Sequence, residues 1–289
     1  MSHSHFTTLI SAANLAERLA SAKGDVYVVD CRFDLADVHA GESAYAKGHL
    51  PGAHYFHLDR DLSGPKTGTN GRHPLPERDA LARHFGDRGL ANGVQVIAYD
   101  AQGGTYGARL WWLMRWLGHD SVAVLDGGID AWTQAGMPLV TDVPVETPQH
   151  FAHSAPLAVT IDAAGIERNL KSLERIVVDA RAADRYRGEN ETIDPVGGHI
   201  PGALNRPFKD NLSPDGRFKP AHTLRDEFHG VLGAVPPERS IMQCGSGVTA
   251  CHNLLAMEVA GLHGAALYGG SWSEWSADPK RPVATGAQP

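Results

Sequence analysis

The chain has 289 residues, with 26 basic and 33 acidic side chains and a formal net charge of −7. That balance argues against a nucleic-acid binder, which carries a basic face, and the length suffices for two domains of ordinary size. Three cysteines make no disulfide framework and fit a reducing compartment. The stretch Met1–Thr8 has no charged-then-apolar signal pattern, and no apolar run approaches the roughly 20 residues a bilayer span needs, so a cytoplasmic protein without a membrane partner is expected.

In chain order, short β-branched runs alternate with helical patterns. Val26–Asp30, Val94–Asp100 and Ser121–Asp126 read as strands, with a helix over Arg109–Leu117 between the last two. Thr141–Pro156 is proline-rich and aperiodic and reads as a linker. Strands follow again at Arg175–Asp179, Ser240–Cys244 and Ala265–Tyr268, with a helical pattern over Ala250–Gly261. Continuous apolar strands separated by helices predict an α/β fold with a parallel sheet covered on both faces. In such sheets the site lies beyond the carboxyl ends of the strands.

The chain also repeats itself. Gly48-His49-Leu50-Pro51-Gly52-Ala53 returns as Gly198-His199-Ile200-Pro201-Gly202-Ala203, and Val28-Val29-Asp30-Cys31-Arg32 as Val177-Val178-Asp179-Ala180-Arg181. Asp126-Gly127-Gly128 followed by Trp132 is matched to Tyr268-Gly269-Gly270 followed by Trp275. Such landmarks in constant order mean a tandem duplication, with domains at 1–140 and 157–289 and a linker at 141–156. The strand ending in Asp100 matches the one ending in Cys244, so the second copy is expected to be catalytic and the first not. Asp100 reads as a helix N-cap.

Cys244 opens the loop Cys244-Gly245-Ser246-Gly247-Val248-Thr249-Ala250 between a strand and a helix. Backbone N–H groups converge there and the helix dipole adds partial positive charge, so a thiol in this place ionises more easily and becomes a nucleophile. Gly245 and Gly247 let the backbone curl into an anion-binding nest, and Ser246 and Thr249 add hydroxyl donors. Cysteine-dependent phosphatases use a similar cradle, but they close it with an arginine at the end of a longer loop, and Ala250 follows Thr249 here.

On these motifs, and on Tyr268-Gly269-Gly270-Ser271-Trp272-Ser273-Glu274-Trp275, the chain resembles the tandem-domain rhodaneses and 3-mercaptopyruvate sulfurtransferases over almost its whole length. The resemblance implies two tandem rhodanese-like domains, each a five-stranded parallel sheet flanked by helices. It also implies a persulfide on Cys244, held by the loop residues Gly245, Gly247, Val248 and Thr249. Thiosulfate-preferring members resemble Cys-Arg-Lys-Gly-Val-Thr-Ala; here Gly245 and Ser246 replace the two cations, which points to 3-mercaptopyruvate. His73, in Gly71-Arg72-His73-Pro74, lies where mercaptopyruvate enzymes place a histidine that relays a proton with Ser246. Asp59, with Asp61 nearby, falls at the acidic residue that pairs with that histidine. Arg185 matches an arginine that binds the substrate carboxylate. Asp194 stands where the second such arginine belongs, with Arg187 as a substitute. The implied activity needs no cofactor: a small-molecule sulfur donor, mercaptopyruvate or thiosulfate, loads Cys244, and a thiophilic acceptor such as cyanide, a thiol or thioredoxin unloads it. A protein-to-protein persulfide carrier is the other reading. His49 and His199 recur in both halves and read as supports of the fold, Cys31 and Cys251 as inert core thiols, and Trp111, Trp112 and Trp116 as helix packing. No His/Cys cluster has zinc-ligand spacing, so no metal is expected.

Overall fold

The computed structural model describes residues 5–21 and 26–289, so the reading of Met1–Thr8 falls partly outside the described residues. Two compact units emerge, one made of Met1–Ser63, Pro76–Leu157 and Pro214–Phe218, the other of Gly64–Leu75, Ala158–Ser213 and Lys219–Pro289. Two short segments therefore belong to the unit that the chain order would not assign them to.

In the first unit the strands are β1 (Leu9–Ile10), β2 (Val26–Asp30), β3 (Ala53–Tyr55), β4 (Gln95–Tyr99) and β5 (Val122–Leu125). They form one parallel sheet in the order β1-β5-β4-β2-β3. Its helices are α1 (Ala12–Ser21), α2 (Ala40–Lys47), α3 (Leu58–Asp61), α4 (Arg78–Asp87), α5 (Gly107–Trp116) and α6 (Gly128–Gln134). The second unit repeats the plan with β6 (Val159–Ile161), β7 (Ile176–Asp179), β8 (Leu204–Asn205), β9 (Ser240–Gln243) and β10 (Ala266–Tyr268), ordered β6-β10-β9-β7-β8. Its helices are α7 (Ala163–Ser172), α8 (Ala183–Arg187), α9 (Ala221–Leu232), α10 (Thr249–Val259) and α11 (Ser271–Trp275). The central strands lie within a residue of the predicted runs. The edge strands β1, β3, β6 and β8 have two or three residues each, too few to carry a period, and sequence patterning does not show them.

The repeated motifs lock each sheet in the same way. Asp30 is fully buried, and its carboxylate holds Arg32 Nη2 at 2.5 Å while the same nitrogen donates to the Gly48 carbonyl at 2.8 Å. Asp179, Arg181 and Gly198 repeat this at 2.6 and 2.6 Å. Each buried ion pair thereby ties the end of a central strand to the loop that carries the Gly-His motif; removing either partner would strand a buried charge. His49 and His199 stack on Tyr45 and Tyr186 and approach their carbonyls at 2.9 Å through Nδ1. They are structural. Leu15, Ile97, Leu125 and Trp132 centre the first core, and Ile166, Ile241, Trp272 and Trp275 the second.

Candidate active site

Cys244 follows the last residue of β9, the central strand beside β7 and β10, and precedes α10. It is 1% exposed. The Gly247 N–H donates to its Sγ at 3.1 Å. Gly247 has φ +77°, and a β-carbon there would collide with the Gly269 carbonyl, so the turn that aims this N–H requires glycine. Gly245 is different. Its φ is not left-handed; what it supplies is room, because a β-carbon would lie 3.1 Å from Arg72 Nη2 and 3.7–3.8 Å from the two terminal nitrogens of Arg185. Ser246 and Val248 are buried, and Thr249 opens α10 half-buried.

The first unit shows what such a loop does when its anion is built in. Asp100 sits at the matching strand end, since Asp30 pairs with Tyr99 as Asp179 pairs with Gln243. Its carboxylate accepts N–H bonds from Gln102 and Gly104 through Oδ1 and from Tyr106 and Gly107 through Oδ2, at 2.7–2.9 Å. Asp100 thus exceeds an N-cap: it fills the whole cradle with one negative group. The same frame fixes the correspondence of the glycine motifs. Ile129 donates its N–H to the Asp100 carbonyl as Trp272 does to that of Cys244, so Gly127-Gly128 corresponds to Gly270-Ser271, one residue further on than the sequence match of the motifs. Ser271, with φ +53°, keeps the left-handed backbone of Gly128 at φ +58° and adds a hydroxyl. Its Oγ accepts the Cys244 N–H at 3.0 Å and donates to the Tyr268 carbonyl at 2.8 Å. A non-glycine residue is uncommon in this region and is held there by its surroundings, here beside Cys244. The motif contained Ser271, but only the backbone angle and the hydrogen bonds reveal its role.

The loop Gly64–Leu75 belongs to the second unit, closed at its base by the Gly64 N–H on the Pro74 carbonyl at 2.9 Å. It carries His73, 3% exposed, whose Nδ1 lies 2.7 Å from Ser246 Oγ. Its chain neighbour is Arg72, half-buried. Its backbone N–H donates to Ser273 Oγ at 2.9 Å, and its Nη1 donates to Asp194 Oδ1 at 2.7 Å. Asp194 also receives Arg185 Nη2 at 3.2 Å. Arg185 in turn spends Nε and Nη2 on Glu191, at 3.1 and 2.9 Å. Burial works against the Glu191 charge, but Arg185 and the N–H groups of Asp194 and Ile193 hold its carboxyl below the usual range. Burial likewise opposes the charge on Arg181, and Asp179, Glu191 and the Cys244 sulfur outweigh it.

Arg187 is paired with Glu189 at 2.7 Å on the surface and does not supply the cation missing at Asp194; Arg72 stands beside Gly245 instead. Asp59 lies on α3 of the first unit, with its N–H donating to His57 Nδ1 at 3.1 Å, and its neighbour Asp61 is engaged by His84 and Arg88 at 2.8 and 2.9 Å. A cavity of about 440 Å³ in the first unit has His54, Asp61, Arg88 and Glu146 in its wall. Cys31 is buried, and its thiol is pushed well above the ordinary range by desolvation and by Asp100, Asp30 and Asp61. Cys251 donates its thiol to the Gly247 carbonyl at 3.2 Å.

Comparison with known proteins agrees with the duplication. The rhodanese-like domain family matches residues 11–135 and 162–278. A probable 3-mercaptopyruvate sulfurtransferase of Pseudomonas aeruginosa is 47% identical over 96% of this chain and 98% of its own length. The human 3-mercaptopyruvate sulfurtransferase is 34% identical over 92% and 91%, and the mouse thiosulfate sulfurtransferase 32% identical over 97% and 96%. Among solved structures, the 3-mercaptopyruvate sulfurtransferase from Leishmania major superposes with a TM-score of 0.83 at 30% identity, covering 96% of this chain and 76% of that one.

Proposed function

Because this chain belongs to the rhodanese-like domain family, we propose that it is a sulfurtransferase that takes sulfur from 3-mercaptopyruvate onto Cys244 and passes it to a thiophilic acceptor. The observation that carries the reading is the cradle at Cys244. Its sulfur receives the Gly247 N–H at the strand end where, in the sister unit, a carboxylate collects four N–H bonds. A loop of this kind stabilises an anionic atom in a site where water is excluded.

The chemistry then runs in two halves. The Cys244 thiolate attacks the thiol sulfur of mercaptopyruvate, and the S–S bond forms as the C–S bond breaks. The electron pair left on carbon takes the proton that the donor thiol gives up, and pyruvate leaves. Ser246 and His73, 2.7 Å apart, are placed to relay that proton. The Cys244 persulfide anion rests against the loop N–H until an acceptor anion, cyanide or a thiolate, attacks its outer sulfur and restores the Cys244 thiolate. A reduced protein thiol such as thioredoxin in the cytoplasm fits the acceptor role chemically, since its thiolate is a sulfur nucleophile.

Thiosulfate is the second reading for the donor, because relatives of that name match this chain at 32–37% identity. Parallel steady-state kinetics with the two donors, with intact-protein mass spectrometry after donor treatment, decide. A higher kcat/KM for 3-mercaptopyruvate and the gain of one sulfur atom on Cys244 are expected. A protein that gains no sulfur from either donor would refute the reading.

A further inference from the structure

We propose that Ser273 is a positioning residue for the proton relay: its hydroxyl fixes the backbone of the 64–75 loop where His73 reaches Ser246. This deepens the mercaptopyruvate reading above and rests on it for its kinetic test. The resemblance gives Ser273 no role.

Ser273 touches both loops that must meet. Its backbone N–H donates to the carbonyl of Gly245, the residue before Ser246, at 2.9 Å. Its Oγ accepts the N–H of Arg72, the residue before His73, at 2.9 Å. One residue thus holds the chain neighbour of each relay partner, and between these two anchors His73 Nδ1 approaches Ser246 Oγ to 2.7 Å. Proton transfer needs its partners within about 2.6–3.2 Å, so a small drift of the 64–75 backbone breaks the relay.

The hydroxyl is aimed for this task. Ser273 Oγ donates to the Gly270 carbonyl at 3.3 Å, which turns its lone pairs toward Arg72. Gly71 lets the loop come close: at φ +88° a β-carbon there would lie 2.8 Å from the Gly270 carbonyl and 3.3 Å from Ser273 Oγ. Bonds inside the loop set its shape, from the Thr67 N–H to Asn70 Oδ1, from Asn70 Nδ2 to the Pro65 carbonyl and from the Gly64 N–H to the Pro74 carbonyl, each at 2.9 Å. The Ser273 bond grips the loop's backbone and sets where that shape docks. The Arg72 pair with Asp194 sits at the end of a long side chain that can follow a displaced backbone; a bond to the Arg72 N–H cannot.

The two candidate donors use the relay differently. With mercaptopyruvate the C–S bond breaks, and the carbon must take the proton that the thiol gives up. With thiosulfate the bond between its two sulfurs breaks, and sulfite leaves with the electron pair on sulfur and needs no proton. A displaced His73 therefore costs mercaptopyruvate turnover more than thiosulfate turnover.

The test compares wild type with Ser273→Ala, Ser273→Thr and Ser276→Ala; the Ser276 hydroxyl meets the Trp272 carbonyl at 2.7 Å at the end of the same helix. Two readouts are used: the ratio of kcat with 3-mercaptopyruvate to kcat with thiosulfate, both with cyanide as acceptor, and deuterium uptake by the 64–75 segment. Ser273→Ala is expected to lower the ratio about tenfold or more and to speed uptake in that segment. Ser273→Thr keeps the hydroxyl and should restore both toward wild type, while Ser276→Ala should leave both unchanged. If Ser273→Ala folds poorly by circular dichroism, Ser273→Cys replaces it, since sulfur is a weak acceptor. An unchanged ratio, whether neither donor or both are slowed, would overturn the proposal and leave the sulfurtransferase reading standing, as would an equal shift in Ser276→Ala. A wild type that takes no sulfur from mercaptopyruvate would sink that reading instead, and deuterium uptake would still decide whether Ser273 holds the loop.

Discussion

Cys244 and Asp100 are the same position in two copies of one unit, and the proposed function gives them different work. A carboxylate in the cradle is a finished set of charge-assisted bonds; a thiolate there is a reagent. Cys244→Ser should abolish sulfur transfer with the fold intact, because a hydroxyl is a far weaker nucleophile at neutral pH and forms no persulfide. Cys31→Ser and Cys251→Ser should keep most activity: desolvation keeps Cys31 protonated, and serine can still donate to the Gly247 carbonyl in place of Cys251. Residual turnover by the Cys244 variant with either donor would contradict this. Asp100→Ala should instead act on stability. It strands four inward N–H groups in a fully buried position, at a cost of about 2–4 kcal/mol. Urea denaturation measures it, and a loss below about 1 kcal/mol would mean that the loop relaxes around the gap.

At the scale of elements, the strand–loop–helix that carries Cys244 is set by its neighbours. β10 delivers Ser271 to the Cys244 N–H, α8 delivers Arg185, and the 64–75 loop delivers Arg72 and His73. The loop lacks the two cations of thiosulfate-type enzymes, yet Gly245 faces two guanidinium groups. Loop charge is therefore not the whole charge that faces Gly245. The double change Gly245→Arg with Ser246→Lys adds cations and removes the hydroxyl that meets His73. It should lower activity with mercaptopyruvate and move the ratio of kcat/KM values toward thiosulfate by about tenfold or more. Steady-state assays of both donors read this out, and an unmoved ratio would place donor selection outside the loop.

At the scale of the whole molecule, each unit includes a short segment from outside its own run of the chain, and one of these segments carries residues of the proposed site. A fragment of residues 157–289 lacks Gly64–Leu75, and with it His73, Arg72 and Leu75, which packs beside Gly269. It should be less stable than the intact chain and lose most mercaptopyruvate activity; full activity from the fragment would show that the segment is dispensable. The first unit should also make stability depend on pH. Burial lowers His119 below its ordinary value, with Val94 and Ser121 carbonyls accepting at 2.9 and 3.2 Å from Nε2. The folded state then binds fewer protons than the unfolded one. This contribution is complete above the unfolded histidine value near 6.5 and is lost as pH falls through the lowered folded value. Burial lowers His54 in the same direction. Melting temperatures recorded from about pH 7.5 down to about pH 5 should fall, and His119→Gln should flatten the decline; a decline of the same slope in that variant would clear His119 of the effect.

The sequence by itself determined the duplication, the parallel α/β units and the glycine-spaced loop that opens at Cys244. Each is a local pattern: apolar runs with a period, motifs at a constant offset, glycines where a backbone must curl. The motif around His73 is local too, and the fold sets its Nδ1 2.7 Å from Ser246 Oγ. At Asp194 the sequence departs from the family's pattern of a second arginine, and Arg187, the substitute it offered, pairs with Glu189. The cation beside Gly245 is Arg72, more than 100 residues away in the chain, and nothing local to residue 72 or 245 predicts their approach. Ser271 was visible as a letter in a motif, but its left-handed backbone and its bond to the Cys244 N–H exist only once β9 and β10 lie side by side. The loop around Cys244 is written locally; the charges that face it come from distant segments, and only folding decides which of them meet.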